Sequence, residues 1–438
     1  MRHFLLVSLL PCLSGLSPIS ASEPSQNQLI PVLPALAVDA ADLPQIGISR
    51  ELGRLAVAFT GTLQKAAGIT GPWTDVSGGI SPFHPDGSGR MVFYRARVSS
   101  PPSIFSSSLR VSLRLTGPFQ MHFNLAAAGA PDGIFPPRRL KPPFEGTVVL
   151  DGTELPVGLR VRGNSSLQEC PFPKLTLKVA KEQRAGTPFF DAREIKIGTH
   201  CAEGGHGNVG RLRDERATYR EALAYETMNQ LGFLSPRVRR AQINFFDTSP
   251  SNQGVEGGWQ ISRQALLLED PEVVGERLGG RALDDLELEA LTHAGFSEQL
   301  LVDLRFFHVF IGNWDFALSV NGQGLGNTDV IVMPDGKLVP MAGDFDLCSW
   351  VTGEVRSTFP RNYHPEWPDV DRQARYQLEQ IGSEVTPEQF IAAQKRFETR
   401  REAVESLVGS AELDDEGRVN ALRHVRAFFE ALSRSPRE

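Results

Sequence analysis

The chain has 438 residues, 41% of them hydrophobic and 22% charged, with a formal net charge of −7. That length suits two or three domains, the composition excludes a disordered or fibrous chain, and the negative balance excludes the global basic field that invites nucleic acid. Basic residues crowd 160–240 and acidic residues crowd 269–303. This suits an anionic ligand held with a metal, or equally two solvated faces of opposite sign.

In chain order, Arg2 and His3 precede an apolar run over 4–16 that is too short to span a bilayer. Small residues follow at Ser20, Ala21 and Ser22, so 1–22 reads as a signal peptide. Pro11 before Cys12 argues against lipoprotein processing. No later run is long and apolar enough for a transmembrane anchor, and a secreted or periplasmic protein is expected. Residues 23–44 read as a linker and 45–98 as a small β-rich module. In that module 54–59 alternates, Leu63-Gln64 leads to Trp73-Thr74-Asp75-Val76, and Phe93-Tyr94-Arg95 closes it. The pattern resembles an accessory β module of many secreted bacterial proteins. Residues 99–143 read as a second linker holding one strand, 109–115, which alternates strictly.

The main domain is expected over 144–434. Strands are predicted at 147–150, 155–161, 175–179, 194–197 and 238–246, and an amphipathic helix at 218–231 that ends at Gly232. Helices are predicted through 287–311 and from Pro387 onward. Strands followed by helices give an α+β class with two lobes. The apolar helix ends at Gly312-Asn313-Trp314-Asp315. A hairpin follows: Val330-Ile331-Val332-Met333, a turn at Pro334-Asp335-Gly336, then Leu338-Val339-Pro340-Met341. It runs into Gly343-Asp344-Phe345-Asp346. One carboxylate ends a helix and two more end a hairpin, the order of parts in phosphoryl-transfer enzymes of the protein-kinase kind.

Beyond the leader the cysteines are Cys170, Cys201 and Cys348. One disulfide, Cys170–Cys201, is expected in an oxidising compartment, against three buried thiols. The absence of a CxxC spacing argues against zinc.

Five segments carry a family resemblance: Arg160-Val161-Arg162-Gly163-Asn164-Ser165-Ser166, Cys170-Pro171-Phe172-Pro173-Lys174-Leu175, Lys196-Ile197-Gly198-Thr199-His200-Cys201, Tyr219-Arg220-Glu221-Ala222-Leu223-Ala224-Tyr225, and the pair Gly312–Asp315 with Asp344–Asp346. Together they resemble the CotH-type spore-coat kinases, and more closely a family of exported bacterial relatives of them. The resemblance implies an atypical protein-kinase-like domain binding ATP with Mg or Mn. It places Arg162, Gly163, Ser165 and Ser166 at the phosphates, where a Gly- and Ser-rich loop lets backbone N–H groups approach oxygens. Lys174 or Lys178 would pair the phosphates. The two are four apart on one strand face, with Lys174 preferred. Glu221 would fix that lysine, with Glu226 in reserve. Asp315 would accept the proton of a protein substrate's hydroxyl. Asp344 and Asp346, with Asn327 preferred over Asn321, would hold the metal.

The sequence departs from the kinase pattern in lacking a His-Arg-Asp triplet and in placing Phe316 after Asp315. Two other readings stay open: a pseudokinase acting as an extracytoplasmic binding module, and a metal-dependent hydrolase built from Asp315, Asp329, Asp344 and Asp346. His308 reads as a packed core residue. Arg237, Arg239 and Arg240 read as a solvated strand end or a phosphate site.

Overall fold

The computed structural model describes residues 7–8, 46–51, 54–59, 62–76, 83–85, 92–97, 102–128, 141–163, 170, 172–200, 216–250, 258–284, 287–288, 291, 295–313, 316, 325–353 and 369–434. The chain forms two compact units, Met1–Pro101 and Pro102–Glu438. Most of the expected leader and first linker lies outside the described residues.

In the first unit, strand Ile46–Glu51 pairs with Arg54–Phe59. A second sheet runs Val7–Ser8, Phe93–Arg97, Thr62–Ala66, Thr74–Asp75. The recurring residues of its sequence pattern meet in space. Val57, Leu63 and Tyr94 form the core. The buried Gln64 amide donates to Asp75 at 2.6 Å and accepts from Arg95 Nε at 2.8 Å. The Arg95 guanidinium lies over the Trp73 ring at 4.3 Å. A core this small needs such a clasp, because three strands or so are the minimum for stability in water. The pattern is thus a packing device.

The second unit is α+β. Seven strands close into a barrel in the order Lys174–Lys178, Glu194–Thr199, Gln260–Glu269, Val238–Asp247, Val111–Gly117, Phe144–Leu150 and Thr153–Arg162. All pairs are antiparallel except Val238–Asp247 with Val111–Gly117. Alternate residues such as Leu113, Leu115, Leu159, Val161, Leu175, Leu177 and Ile243 fill the interior. Helix Phe119–Ala128 adds Phe119 and Phe123 to that core, and Asp247 accepts the Gln120 N–H at its start.

The second unit begins at Pro102, and Val111–Gly117, which reads as part of a linker in the sequence, is an inner barrel strand. Strand Gln260–Glu269 was not expected. Its Ala265 and Leu267 enter the barrel while Leu266 and Leu268 pack on the helices, so both faces are apolar and the alternation is lost.

The helical body packs against this outer barrel face. Phe306, Phe310, Trp350, Phe397 and Phe428 fill its centre, drawn from helices Glu298–Ile311, Ser349–Thr352, Pro387–Glu398 and Asp415–Arg434. Helix Ala217–Gln230 lies between barrel and body. It is buried on nearly every face rather than amphipathic, and Gly232 (φ 82°) follows its end as expected. The expected hairpin is present as Thr328–Val332 with Leu338–Ala342. Among the described residues no helix is long and apolar enough to cross a membrane.

Candidate functional site

The site grows from the outer barrel face. Leu175 and Leu177 point inward, so Lys174 points outward beside its register partner Arg162. Its Nζ donates to Asp344 Oδ1 at 2.9 Å and to Asp346 Oδ2 at 3.0 Å. Lys174 and Asp346 are largely shielded, whereas the Asp344 side chain is 50% exposed. Lys178 shares this face but stands four residues on, roughly 13 Å away at strand spacing. It is exposed and paired in register with Gly158 and Glu194. Of the two candidate lysines, the preferred Lys174 enters the cluster and Lys178 stands outside it.

The carboxylates are aimed by the end of the hairpin. Gly343 N–H donates to the Asn327 carbonyl at 2.9 Å, which places Asn327 opposite the acidic loop. Asp344 then takes a left-handed backbone, φ 55° and ψ 55°. Its N–H donates to the Tyr225 hydroxyl at 2.9 Å. Phe345 is buried against Tyr225, ring centroids 4.6 Å apart, and against Phe307 at 5.6 Å. A single 3-10 turn, Phe345–Leu347, brings Asp346 back toward Lys174.

Helix Ala217–Gln230 supplies Glu221 and Tyr225, four apart and so on one face. Glu221 is buried, and among the described residues it forms no hydrogen bond or close ion pair. Burial pushes its pKa up to about 8; Lys174 opposes this, and the charges of Asp346 and Asp344 add to it. Desolvation works against charge on Lys174, but Asp344, Asp346 and Glu221 together hold its pKa above the ordinary value. The Lys174 ammonium keeps the Asp344 carboxyl below its usual range, helped by Arg162 and Lys196. Glu226, the reserve for Glu221, is bound to Arg240 at 2.6 and 2.9 Å and takes no part.

Two flanking loops are fixed at their described ends. Gly163, φ 102°, accepts a hydrogen bond from Lys141 Nζ where the Thr153–Arg162 strand ends. Ser165 and Ser166 lie outside the described residues, and so does Asp315. Its neighbours are well held. Gly312 caps the Glu298–Ile311 helix in the left-handed region. The Asn313 N–H donates to the His308 carbonyl at 2.8 Å, and its amide lies 3.0 Å from His308 Nδ1. Phe316 stacks on the His308 ring at 3.9 Å. Burial lowers the His308 pKa to about 3, so the ring is neutral, as a packed core residue should be. The Ser349 N–H donates to the Gly312 carbonyl at 2.9 Å, which ties the two acidic loops together.

The structure therefore brings together Lys174, Glu221, Asp344 and Asp346, with Arg162 beside them. Among the described residues no group of three or more His, Cys, Asp or Glu is arranged to hold a metal alone. Sequence reasoning assigned no role to Tyr225, Lys141 or Lys196. The signal for Tyr225 was its four-residue spacing from Glu221. The arginines after Ser235 are structural: Arg237 binds Glu269 and Asp191, Arg239 binds the Ile104 and Leu109 carbonyls, and Arg240 binds Glu226. Cys170 is disulfide-bonded and Cys348 is free and buried. The expected partner, Cys201, lies outside the described residues.

No family model matches the chain. No curated protein matches it. Among solved structures it is similar to one described as the crystal structure of a Helicobacter pylori proinflammatory kinase CtkA, with 11% identity and a TM-score of 0.29 over 56% of this chain and 92% of that one. A likeness at this level carries no argument about activity, which rests on the site itself.

Proposed function

We propose that the chain is an exported, CotH-like atypical kinase that transfers the γ-phosphoryl group of ATP to a protein hydroxyl, with Mg²⁺ or Mn²⁺. The observation that carries this is the Lys174 contact with both Asp344 and Asp346. A barrel-strand lysine, two carboxylates after a hairpin and a buried glutamate on the intervening helix are the parts such chemistry needs. On this reading the barrel and the helical body are the two lobes, and the site lies where they meet.

The residues fit the cofactor. Asp344 and Asp346 offer hard oxygen donors, and Asp344 opens to solvent. Mg²⁺ keeps several waters and needs only one or two protein carboxylates besides phosphate oxygens, so two suffice. Bound ATP and metal would supply the transferable group and neutralise its charge. Lys174 and Arg162 would hold the phosphates, with the loop from Gly163 to Ser166 over them. Glu221 would receive Lys174 once the aspartates turn to the metal. Asp315 would orient the acceptor hydroxyl and take its proton.

One observation favours a second reading, a pseudokinase acting as a binding module. Lys174 already occupies the carboxylate oxygens a metal would use. Thermal unfolding with and without ATP plus Mg²⁺ or Mn²⁺, beside Asp344→Ala, separates the two. Ligand at a hundred times its dissociation constant adds about 2.7 kcal/mol of stability. A metal-dependent rise that the variant lacks is expected. No rise at millimolar ATP would transfer the assignment to the binding module.

A further inference from the structure

We propose that Tyr225 is a positioning residue for the metal-binding carboxylate, its phenol oxygen holding the left-handed backbone of Asp344; this rests on Asp344 being a metal ligand. Asp344 is one of three non-glycine residues described with positive φ. An L-residue there meets steric opposition between Cβ and its own carbonyl, and persists only where the surroundings over-determine it. The surroundings here are specific. The Asp344 N–H turns away from the hairpin ladder, and its hydrogen-bond partner is the Tyr225 oxygen at 2.9 Å. Tyr225 is 1% exposed on a helix buried on nearly every face, so its oxygen is a fixed point.

The backbone angles at Asp344 decide where its Cβ, and hence its carboxylate, points. In the observed conformation the carboxylate meets Lys174 and shares it with Asp346. Without the phenol oxygen the N–H loses this fixed partner, and the balance shifts toward ordinary backbone angles that turn the carboxylate away from Asp346. Hydrogen-bonded supports of metal ligands typically contribute 10–100-fold to metal affinity. The ring is a separate matter: Phe at this position would keep the packing on Phe345 and remove one oxygen.

The test compares the wild-type chain, Tyr225→Phe and Tyr219→Phe, each titrated with Mn²⁺ at fixed ATP and followed by the unfolding midpoint and by calorimetry. Tyr219 lies on the same helix and donates its own buried hydroxyl bond to the Ala241 carbonyl at 3.1 Å. It therefore controls for the general cost of losing such a bond. Tyr225→Phe is expected to raise the Mn²⁺ concentration at half-saturation about tenfold, with ATP affinity at saturating Mn²⁺ little changed. Tyr219→Phe is expected to lower the unfolding midpoint without moving the Mn²⁺ requirement. An unchanged Mn²⁺ requirement in Tyr225→Phe, or an equal change in Tyr219→Phe, overturns the positioning role while leaving the kinase reading intact. Absence of any ATP- and Mn²⁺-dependent shift in the wild-type chain overturns the kinase reading and the positioning role with it.

Discussion

Two charge clusters in the barrel-containing unit look alike on paper and differ in saturation. Glu269 is fully buried and accepts from the Arg237 N–H and Nε, each at 3.0 Å, and from Arg277 Nε and Nη2 at 3.0 and 2.9 Å. Both oxygens are satisfied, and Asp191 pairs with Arg237 as well, so the two arginines face two carboxylates. The Lys174 cluster is different. Among the described residues Asp344 and Asp346 both accept from the Lys174 ammonium, Glu221 forms no hydrogen bond or close ion pair, and Asp344 is half exposed. A filled network fixes a structure. A half-exposed carboxylate keeps acceptor capacity for a cation from outside. The difference teaches that unfilled acceptor capacity, more than charge itself, marks the site.

The sharpest way to break the comparison is Asp344→Asn. Its loss should abolish the ATP- and metal-dependent rise in unfolding temperature altogether. Because the side chain is half exposed, its removal should cost the apo protein no more than about 1 kcal/mol. Glu269→Ala should do the opposite. It leaves two arginines without their shared carboxylate and should cost about 3 kcal/mol in a urea titration, with the ligand-dependent rise retained. A large apo-stability loss in the first variant, or a lost ligand response in the second, would erase the distinction.

A smaller effect concerns Glu221. Burial raises its pKa to about 8 from an ordinary 4.5. The folded state therefore keeps a proton that the unfolded chain releases. Its contribution to stability is complete below about 4.5 and is lost as pH rises toward 8. Glu221→Gln stays neutral throughout, so its stability relative to wild type should climb between about pH 5 and pH 8 and then level. Parallel stability profiles would mean that Glu221 carries its charge in the folded state at neutral pH.

Much of this was legible where the cause is local. Pro334-Asp335-Gly336 announces its turn and Gly312 its helix end, so the hairpin and the Glu298–Ile311 helix were readable. Lys174, Glu221, Asp344 and Asp346 were likewise named from their segments. What stayed hidden is non-local. The parallel pairing of Val111–Gly117 with Val238–Asp247 joins distant segments, so the first read as part of a linker. Strand Gln260–Glu269 lost its alternation because two cores claim its two faces. The Tyr225 bond depends on a backbone conformation at Asp344 that the residue type alone does not announce.

The choice between Lys174 and Lys178 sharpens the comparison at its finest grain. Both lie on one strand, on the same face, with the same chemistry. At the end of the strand nearer the hairpin Lys174 reaches both aspartates, while Lys178 is exposed at the other end beside its strand partner Glu194. Lys174→Ala should therefore remove the ligand-dependent rise in unfolding temperature, because it strips the phosphate-facing cation. Lys178→Ala should leave that rise unchanged, and an exposed side chain of this kind should shift apo stability by less than about 0.5 kcal/mol. The pair of thermal titrations reads the difference directly. An equal loss of response in both variants would show that the response follows the summed positive charge of the barrel face and not the contact at Lys174.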